Sequence, residues 1–351
     1  MQRVFWLIPL LALACTPSGS PPQRASAKPQ DARRSGRGEG TAALPLVRVA
    51  DVPLPGKPVR FDYQDIDVVH GRLVIAHMND ASVVIVNVAD GSVVKVISDI
   101  PTPRGVIVAQ DVERIFVTSS PDQLVIIDST SLEVIDRRTT GSAPDGVGWD
   151  AKDQVVGVYD QGDGALSLIA DSGGGPRKQV PLGAETGNVV YDAARGVFWV
   201  TVVRSSPPDQ LVSVDPIAAK VTLRIPLPGC IGAHGLRIHP DGKSALIACE
   251  GNSKLVRVDL ATRTLQIAAS GAGPDVLAID PSLGWLYVAA ESGNLKVFDI
   301  GKAGLVAIDS EHPGDASHTV AVDPKTHRVF FPLAKGPAGA PLLRILKPAG
   351  T

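Results

Sequence analysis

A segment of about 43 residues that recurs along the chain constrains the fold more than any other feature. Its clearest copy is residues 274–300, PDVLAIDPSLGWLYVAAESGNLKVFDI. This pattern predicts a short strand, an Asp-Pro turn, an alternating apolar strand, a Gly-Asn turn and a further strand that ends in Asp. Three short strands cannot bury their own apolar faces, so the copies must stack on one another.

Seven copies are found when the last strand of each is aligned on its first apolar residue. These residues are Val83, Leu124, Leu166, Leu211, Leu255, Leu295 and Leu342, spaced by 40 to 47 residues. The spacing and the short strands predict an all-β fold, a seven-bladed β-propeller with four strands per blade.

The seventh copy of the repeat ends before a fourth strand. We expect residues 44–52 to supply that strand and close the ring, which removes two open sheet edges.

The N-terminus has the pattern of an export signal. Arg3 precedes an apolar run of 11 residues, 4–14, which is too short for a membrane-spanning helix of roughly 20 residues. Residues 1–14 are therefore predicted to be a signal peptide. The small residues before Cys15 resemble a bacterial lipobox, and the resemblance implies that Cys15 is lipidated and anchors the protein to a membrane on the periplasmic or cell-surface side. Ordinary cleavage at the same residues, with a free thiol at Cys15, is the alternative.

Residues 15–43 are predicted to form the lipidated cysteine and a disordered tether, which leaves residues 44–351 for the propeller. From residue 16 to residue 43 the segment holds Pro, Ser, Gly and Arg but no aliphatic residue larger than Ala, so it cannot build a core. The chain's formal charge of −2 includes +3 from this tether and +1 from Arg3, which leaves −6 for the folded part. An acidic domain argues against a nucleic-acid partner.

Two cysteines, Cys230 and Cys249, remain as an even pair in an exported and oxidising context. Cys230 precedes the first strand of blade five and Cys249 ends its second strand, so both belong to the same rim of the ring. We expect a disulfide between them, with two free buried thiols as the alternative.

Three predicted strands carry a shared motif: residues 115–118 (IFVT), 198–201 (FWVT) and 286–289 (LYVA). Each is followed by a polar turn and an apolar strand that ends in Asp. In this respect residues 44–346 resemble the YVTN-repeat, or YncE-like, β-propellers. Other segments resemble an exported lipoprotein subgroup of that family, namely residues 60–63, 75–78, 228–230, 248–252 and 326–333. The resemblance implies the propeller fold but no particular reaction, because the family includes proteins without a known role and relatives of lactonases and dehydrogenases.

Candidate site residues follow from the topology of a blade. The link into each first strand and the link between second and third strands open on one face of the ring, at the central channel. Side chains in these links converge although they are distant in sequence. The predicted ligand-binding residues are His77, Arg104, Asp145, His234, Glu250, Asp275, Glu291 and His318.

Imidazoles and carboxylates at such a rim are suited to a divalent metal ion or to acid-base chemistry. The candidate metal ligands are His234, Glu250, Asp275 and His318, and the candidate catalytic residues are Asp275 and Glu291. No cofactor is required by any motif, and a divalent metal is the one candidate. The alternative is that these polar residues only hydrogen-bond turns and water.

The sequence favours a non-catalytic, exported and lipid-anchored propeller that binds a small molecule or a protein partner at the channel rim. The alternative is a lactonase-type hydrolase, with or without a metal, in which Asp275 or Glu291 acts as base and His234 and His318 stabilise an oxyanion. DNA binding is disfavoured by the charge of −6 on the folded part.

Overall fold

A computed structural model describes residues 46–351, except 173, 174, 176, 184, 302 and 303. The predicted signal peptide, Cys15 and the tether lie outside these residues. Within the described part of the chain, no helix has both the length and the apolar character needed to cross a bilayer.

The strands of the described residues form seven antiparallel sheets of four strands each, which are the predicted blades. The first strand of the chain, β1 (Leu46–Pro53), belongs to the last blade. Blades one and two comprise β2 Gln64–Asp67, β3 Arg72–His77, β4 Ser82–Asn87, β5 Val93–Ile97, β6 Pro103–Ala109, β7 Arg114–Ser119, β8 Gln123–Asp128 and β9 Val134–Thr139. Blades three and four comprise β10 Pro144–Asp150, β11 Val155–Asp160, β12 Ala165–Ala170, β13 Lys178–Pro181, β14 Thr186–Asp192, β15 Val197–Val202, β16 Asp209–Asp215 and β17 Lys220–Leu227.

The remaining three blades follow the same order. Blades five and six comprise β18 Ala233–Ile238, β19 Ser244–Cys249, β20 Lys254–Asp259, β21 Leu265–Ala269, β22 Pro274–Asp280, β23 Trp285–Ala290, β24 Leu295–Asp299 and β25 Val306–Glu311. Blade seven comprises β26 Ala321–Val322, β27 Val329–Leu333, β28 Leu342–Pro348 and β1. The prediction of a seven-bladed β-propeller is confirmed.

Ring closure by the N-terminal strand is also confirmed. Strand β1 pairs antiparallel with β28, from Leu46 opposite Pro348 to Pro53 opposite Leu342. A two-point ion pair joins them, in which the Arg344 guanidinium contacts both carboxylate oxygens of Asp51 at 2.9 and 2.7 Å. The last blade is therefore made from both ends of the described chain.

Apolar side chains are buried between neighbouring blades. The β-branched and aromatic residues of the second and third strands are mostly buried on both faces, as expected for strands covered on each side. Among the described residues they form seven clusters, six of which join two neighbouring blades, while the seventh joins blades six and seven and includes Tyr63 of blade one. Trp149, for example, packs 5.3 Å from Phe116 of the preceding blade. Because every blade depends on both neighbours, an incomplete ring would expose two apolar faces.

Two short 3₁₀ turns shape the rim. They are Met78–Asp80 in blade one and Glu250–Asn252 in blade five, and each joins the second strand to the third. The predicted disulfide is present next to the second turn: Cys230 and Cys249 are bonded, with their Cα atoms 5.3 Å apart. It ties the loop that enters β18 to the end of β19.

Deletion of residues 44–53 should lower the thermal midpoint of unfolding by about 10 °C or more, because it removes β1 and opens the ring between blades seven and one. Deletion of residues 16–43, which have no predicted strand, is the control and should change the midpoint little. Differential scanning calorimetry measures both. Equal shifts for the two deletions would contradict the closure.

Candidate functional site at the channel rim

A β-bulge at the channel end of the first strand positions the rim side chains. In blade two, β6 advances three residues from Pro103 to Val106 while β7 advances two, so one residue is extra. The same irregularity occurs in β10, β14, β18 and β22. A bulge bends the strand and re-aims a side chain. The first residues within these bulges are Arg104, Asp145, Gly187, His234 and Asp275.

The inner strands of neighbouring blades approach each other very closely at these bulges. A Cβ atom on Gly235 would overlap the backbone oxygen of Asp275, and one on Gly105 would overlap the backbone oxygen of Asp145. Glycine is therefore needed beside the rim residue because a neighbouring backbone occupies the space of a side chain. The close approach brings rim side chains of successive blades within contact distance.

Two threonines of the repeated strand motif hold this arrangement. Thr118 Oγ1 accepts a hydrogen bond from Gly105 N at 2.7 Å and donates one to Asp145 O at 2.6 Å. Thr201 Oγ1 likewise accepts a hydrogen bond from Asn188 N of its own blade at 2.9 Å and donates one to His234 O at 2.9 Å. Each threonine thus connects the bulge of its own blade to the rim residue of the next one.

Opposite charges face each other from blade to blade around the rim. Three ion pairs join neighbouring blades: Arg104 Nη1 with Asp145 Oδ2 at 3.2 Å, His234 Nδ1 with Asp275 Oδ1 at 2.7 Å, and His318 Nε2 with Asp62 Oδ1 at 3.8 Å. Gly187 contributes no side chain in blade four. Six of the seven equivalent rim positions thus carry charges that form three pairs, and the seventh position is Gly187.

A further ion pair spans the seventh blade. The Arg60 guanidinium contacts both carboxylate oxygens of Glu291, at 2.7 and 3.2 Å. Glu291 was a sequence candidate, whereas Arg60 was not, although its segment (residues 60–63) enters blade one where the other rim residues enter theirs. That shared position was the signal that could have identified it.

The rim encloses a cavity of about 260 Å³. Six sequence candidates line it: Arg104, Asp145, His234, Glu250, Asp275 and Glu291. Five further residues complete the lining: Arg60, Asp62, Tyr63, Met78 and Gln161. The topology therefore brings together side chains from most of the ring, as expected for links that open on one face.

Two candidates are set apart from this cavity. His77 is fully buried and stacks on Phe61 with ring centroids 4.0 Å apart, while its neighbour Met78 lines the cavity instead. Burial lowers the pKa of His77, and a neutral imidazole suits this packing role. His318 is also buried, at 2% exposure, and is not among the residues that line the cavity. Burial alone would lower the pKa of His318, but Asp62 and Asp275 raise it.

The His234–Asp275 pair is charged at neutral pH. Burial by itself would lower the pKa of His234, but the carboxylates of Asp275, Asp145 and Glu250 outweigh it and raise that pKa to about 10. For Asp275, burial would raise the pKa, and the adjacent His234 imidazolium outweighs it, so the pKa is lowered. The imidazolium is consequently a poor general base at neutral pH.

Two other carboxyl groups of the rim have raised pKa values, in contrast to Asp275. Burial, assisted by the charge of Asp62, raises the pKa of Asp145 to about 6. Burial also raises the pKa of Glu250. Asp145 Oδ1 is buried and lacks a hydrogen-bond partner within the described residues. A ligand donor in the cavity would satisfy this acceptor.

One group of side chains has metal-ligand spacing. Donor atoms of Asp275, Glu291 and His318 lie within 4.8 Å of one another. Two of them already hold cationic partners, because Glu291 contacts Arg60 and Asp275 contacts His234. A divalent ion would have to displace those cations or share the carboxylates with them.

The fold and the rim define a seven-bladed β-propeller, an architecture that provides a rigid scaffold for binding at its channel. No family model and no curated protein matches the sequence. Among solved structures, a chain of the mitotic checkpoint complex crystal structure aligns with a TM-score of 0.73 at 11% identity, covering 93% of this chain and 98% of that one. A chain of Kuenenia stuttgartiensis hydrazine synthase aligns with a TM-score of 0.65 at 15% identity, covering 74% and 89%. At these identities the likeness concerns the fold alone.

The His234 side chain should titrate by NMR with a midpoint near pH 10. Substitution Asp275→Asn should move the midpoint towards the ordinary value of 6.5, because the partner that stabilises the imidazolium is lost. Asp241→Asn is the matched control, since Asp241 pairs with His239 (2.8 Å) in the same blade but outside the rim cavity. A wild-type midpoint near 6.5 would contradict the pairing.

The same titration has a consequence for stability. The folded-state pKa of His234 lies above the unfolded value, so its stabilising contribution is complete below about pH 6.5 and is lost as the pH rises towards 10. The destabilisation caused by His234→Gln should therefore be largest at the acid end of this window.

Proposed function

We propose that this protein is a binding propeller that holds a small molecule with a cationic group in the rim cavity. One observation carries the proposal: the cavity is lined by more acidic than basic groups. Five carboxylates, those of Asp62, Asp145, Glu250, Asp275 and Glu291, face the three cations Arg60, Arg104 and His234. When the His318 imidazolium that pairs with Asp62 is included, an excess of one negative charge remains, which a cationic ligand would offset.

The shape of the site supports a small ligand more than a protein partner. The cavity of about 260 Å³ is slightly smaller than a typical pocket for a drug-sized ligand, so it suits a small molecule of few atoms. Asp145 presents a buried oxygen that has no hydrogen-bond partner in the described part of the chain, and Glu250 is an exposed lining residue on its 3₁₀ turn. An ammonium group between these carboxylates would gain charge-assisted hydrogen bonds.

A metal-assisted hydrolase of lactone type is the second candidate. It is favoured by the 4.8 Å grouping of Asp275, Glu291 and His318 and by the His234 imidazolium, which could donate to a developing oxyanion. Against it, the candidate base Asp275 has a lowered pKa and the candidate base Glu291 is held by Arg60. Binding without turnover accounts for the paired charges with fewer assumptions.

We further propose export and lipid anchoring through Cys15, and a relation to the YVTN-repeat propellers. These proposals are supported by the apolar leader, the lipobox-like residues before Cys15 and the three strand motifs. The anchor would present the propeller near a membrane surface outside the cytoplasm, and the acidic charge of its folded part disfavours nucleic acid as a partner.

Binding of n-butylamine at neutral pH, followed by NMR titration, should perturb the rim resonances, whereas n-butanol of the same shape should not. Glu250→Gln should weaken amine binding by about tenfold, because one of the attracting charges is removed. Glu133→Gln is the matched control: this glutamate pairs with Lys95 (2.6 Å) away from the cavity and should bind the amine like the wild type.

Equal binding of amine and alcohol, or a loss with Glu133→Gln as large as with Glu250→Gln, would contradict the proposal. Turnover of a lactone panel that requires added divalent metal and disappears in Glu291→Gln would favour the hydrolase instead.

A further inference from the structure

A second chamber lies deeper in the central channel. Its volume is about 240 Å³, and Tyr63 is the one residue that lines both this inner chamber and the rim cavity. Tyr63 comes from blade one, and its hydroxyl accepts a hydrogen bond from Asn188 Nδ2 of blade four at 3.2 Å. The tyrosine side chain therefore spans the channel and separates two compartments.

Arg237 is a half-buried cation of the inner chamber with few partners. It lies on β18, three residues after His234, and Nη1 donates to the carbonyl of the adjacent Leu236 at 3.0 Å. No carboxylate lies within 4.0 Å of its guanidinium among the described residues, in contrast to Arg60 and Arg104 at the rim. Since a guanidinium presents five N–H donors and stays charged, most of its hydrogen-bonding capacity is available to a ligand.

The other charged residue of this chamber does not neutralise Arg237 by contact. Asp65 accepts hydrogen bonds from Ile66 N at 2.9 Å and from Val108 N at 2.8 Å. Its carboxylate is thereby held against the strand backbone. Burial lowers the pKa of Arg237, and the attraction of Asp65 offsets this only in part.

The walls of the inner chamber suit an apolar molecular body. Trp149 and Tyr191 contribute aromatic surface, and the Trp149 indole is oriented by a 2.8 Å hydrogen bond from Nε1 to Asp111. Gly105 and Gly146 of the bulges also line the chamber, where they present backbone and no side chain. A ligand here would meet one cationic anchor and a wall that presents aromatic and aliphatic side chains beside polar groups.

We propose that the inner chamber is a second binding site, which takes a small organic carboxylate whose anionic group pairs with Arg237 and whose apolar body contacts Trp149 and Tyr191. It is distinct from the rim cavity in position and in charge preference: an anion is bound here and a cation there. The two sites share Tyr63 as their common wall.

Benzoate is the probe, titrated calorimetrically into the propeller with its disulfide intact. We expect Arg237→Met to weaken benzoate binding at least tenfold, because a charge-assisted pair is lost while an unbranched apolar stem is kept. Arg204→Met is the matched control, since Arg204 is exposed and lines neither chamber, and should bind like the wild type. Loss of binding in Arg104→Met, with Arg237→Met unchanged, would place benzoate at the rim and overturn the proposal.

A second comparison uses the wild type alone, so its result does not depend on whether the Arg237→Met variant folds. Benzamide has the shape of benzoate without its charge and should bind at least tenfold more weakly. Equal binding of the two, or no detectable binding of benzoate, would overturn the inner site. Neither result bears on amine binding at the rim, which is tested separately.

Discussion

The close approach of the inner strands around the channel is the constraint on which the rest of the structure depends. Seven first strands converge on one axis, and at Gly105 and Gly235 the neighbouring backbone occupies the position of a Cβ atom. Such contact is tolerated only by glycine and is held by the hydroxyls of Thr118 and Thr201. The bulge that accompanies this approach recurs in β6, β10, β14, β18 and β22, and the ring closes on β1, so the buried clusters between blades have no exposed end.

The charges of the rim are a consequence of the same geometry. A bulge beside each close contact projects one side chain towards the channel, so side chains of successive blades meet there. Unlike charges at such distances stabilise each other, and the His234–Asp275 pair is ionised although it is largely shielded from water. A cavity with surplus carboxylates therefore exists because the fold places them together, which links the proposed ligand binding to the integrity of the ring.

The repeat made the fold and much of the site predictable. Its spacing indicated seven blades, and aligning the copies placed His234 and Asp275 at equivalent positions of neighbouring blades. The repeat could not predict contacts between distant blades. Arg60 and Glu291 are 231 residues apart, and Tyr63 and Asn188 are 125 residues apart, so both contacts depend on how the ring closes. His77 is a local example, because the 3₁₀ turn directs Met78 rather than His77 to the cavity. Arg237 occupies an ordinary strand position, and only its lack of an ion-pair partner within the described residues distinguishes it.

Comparison of Gly235→Ala with Gly175→Ala tests most directly whether this close approach builds the rim. An added methyl group at residue 235 would collide with the Asp275 backbone, whereas at residue 175 no atom of the described residues beyond the adjoining chain lies within 4 Å of the equivalent position. We predict that Gly235→Ala lowers the free energy of unfolding by about 2 kcal/mol or more and lowers the His234 pKa, because it pushes the two blades apart. Gly175→Ala should change neither quantity. Equal stabilities and equal His234 pKa values in the two variants would contradict the account.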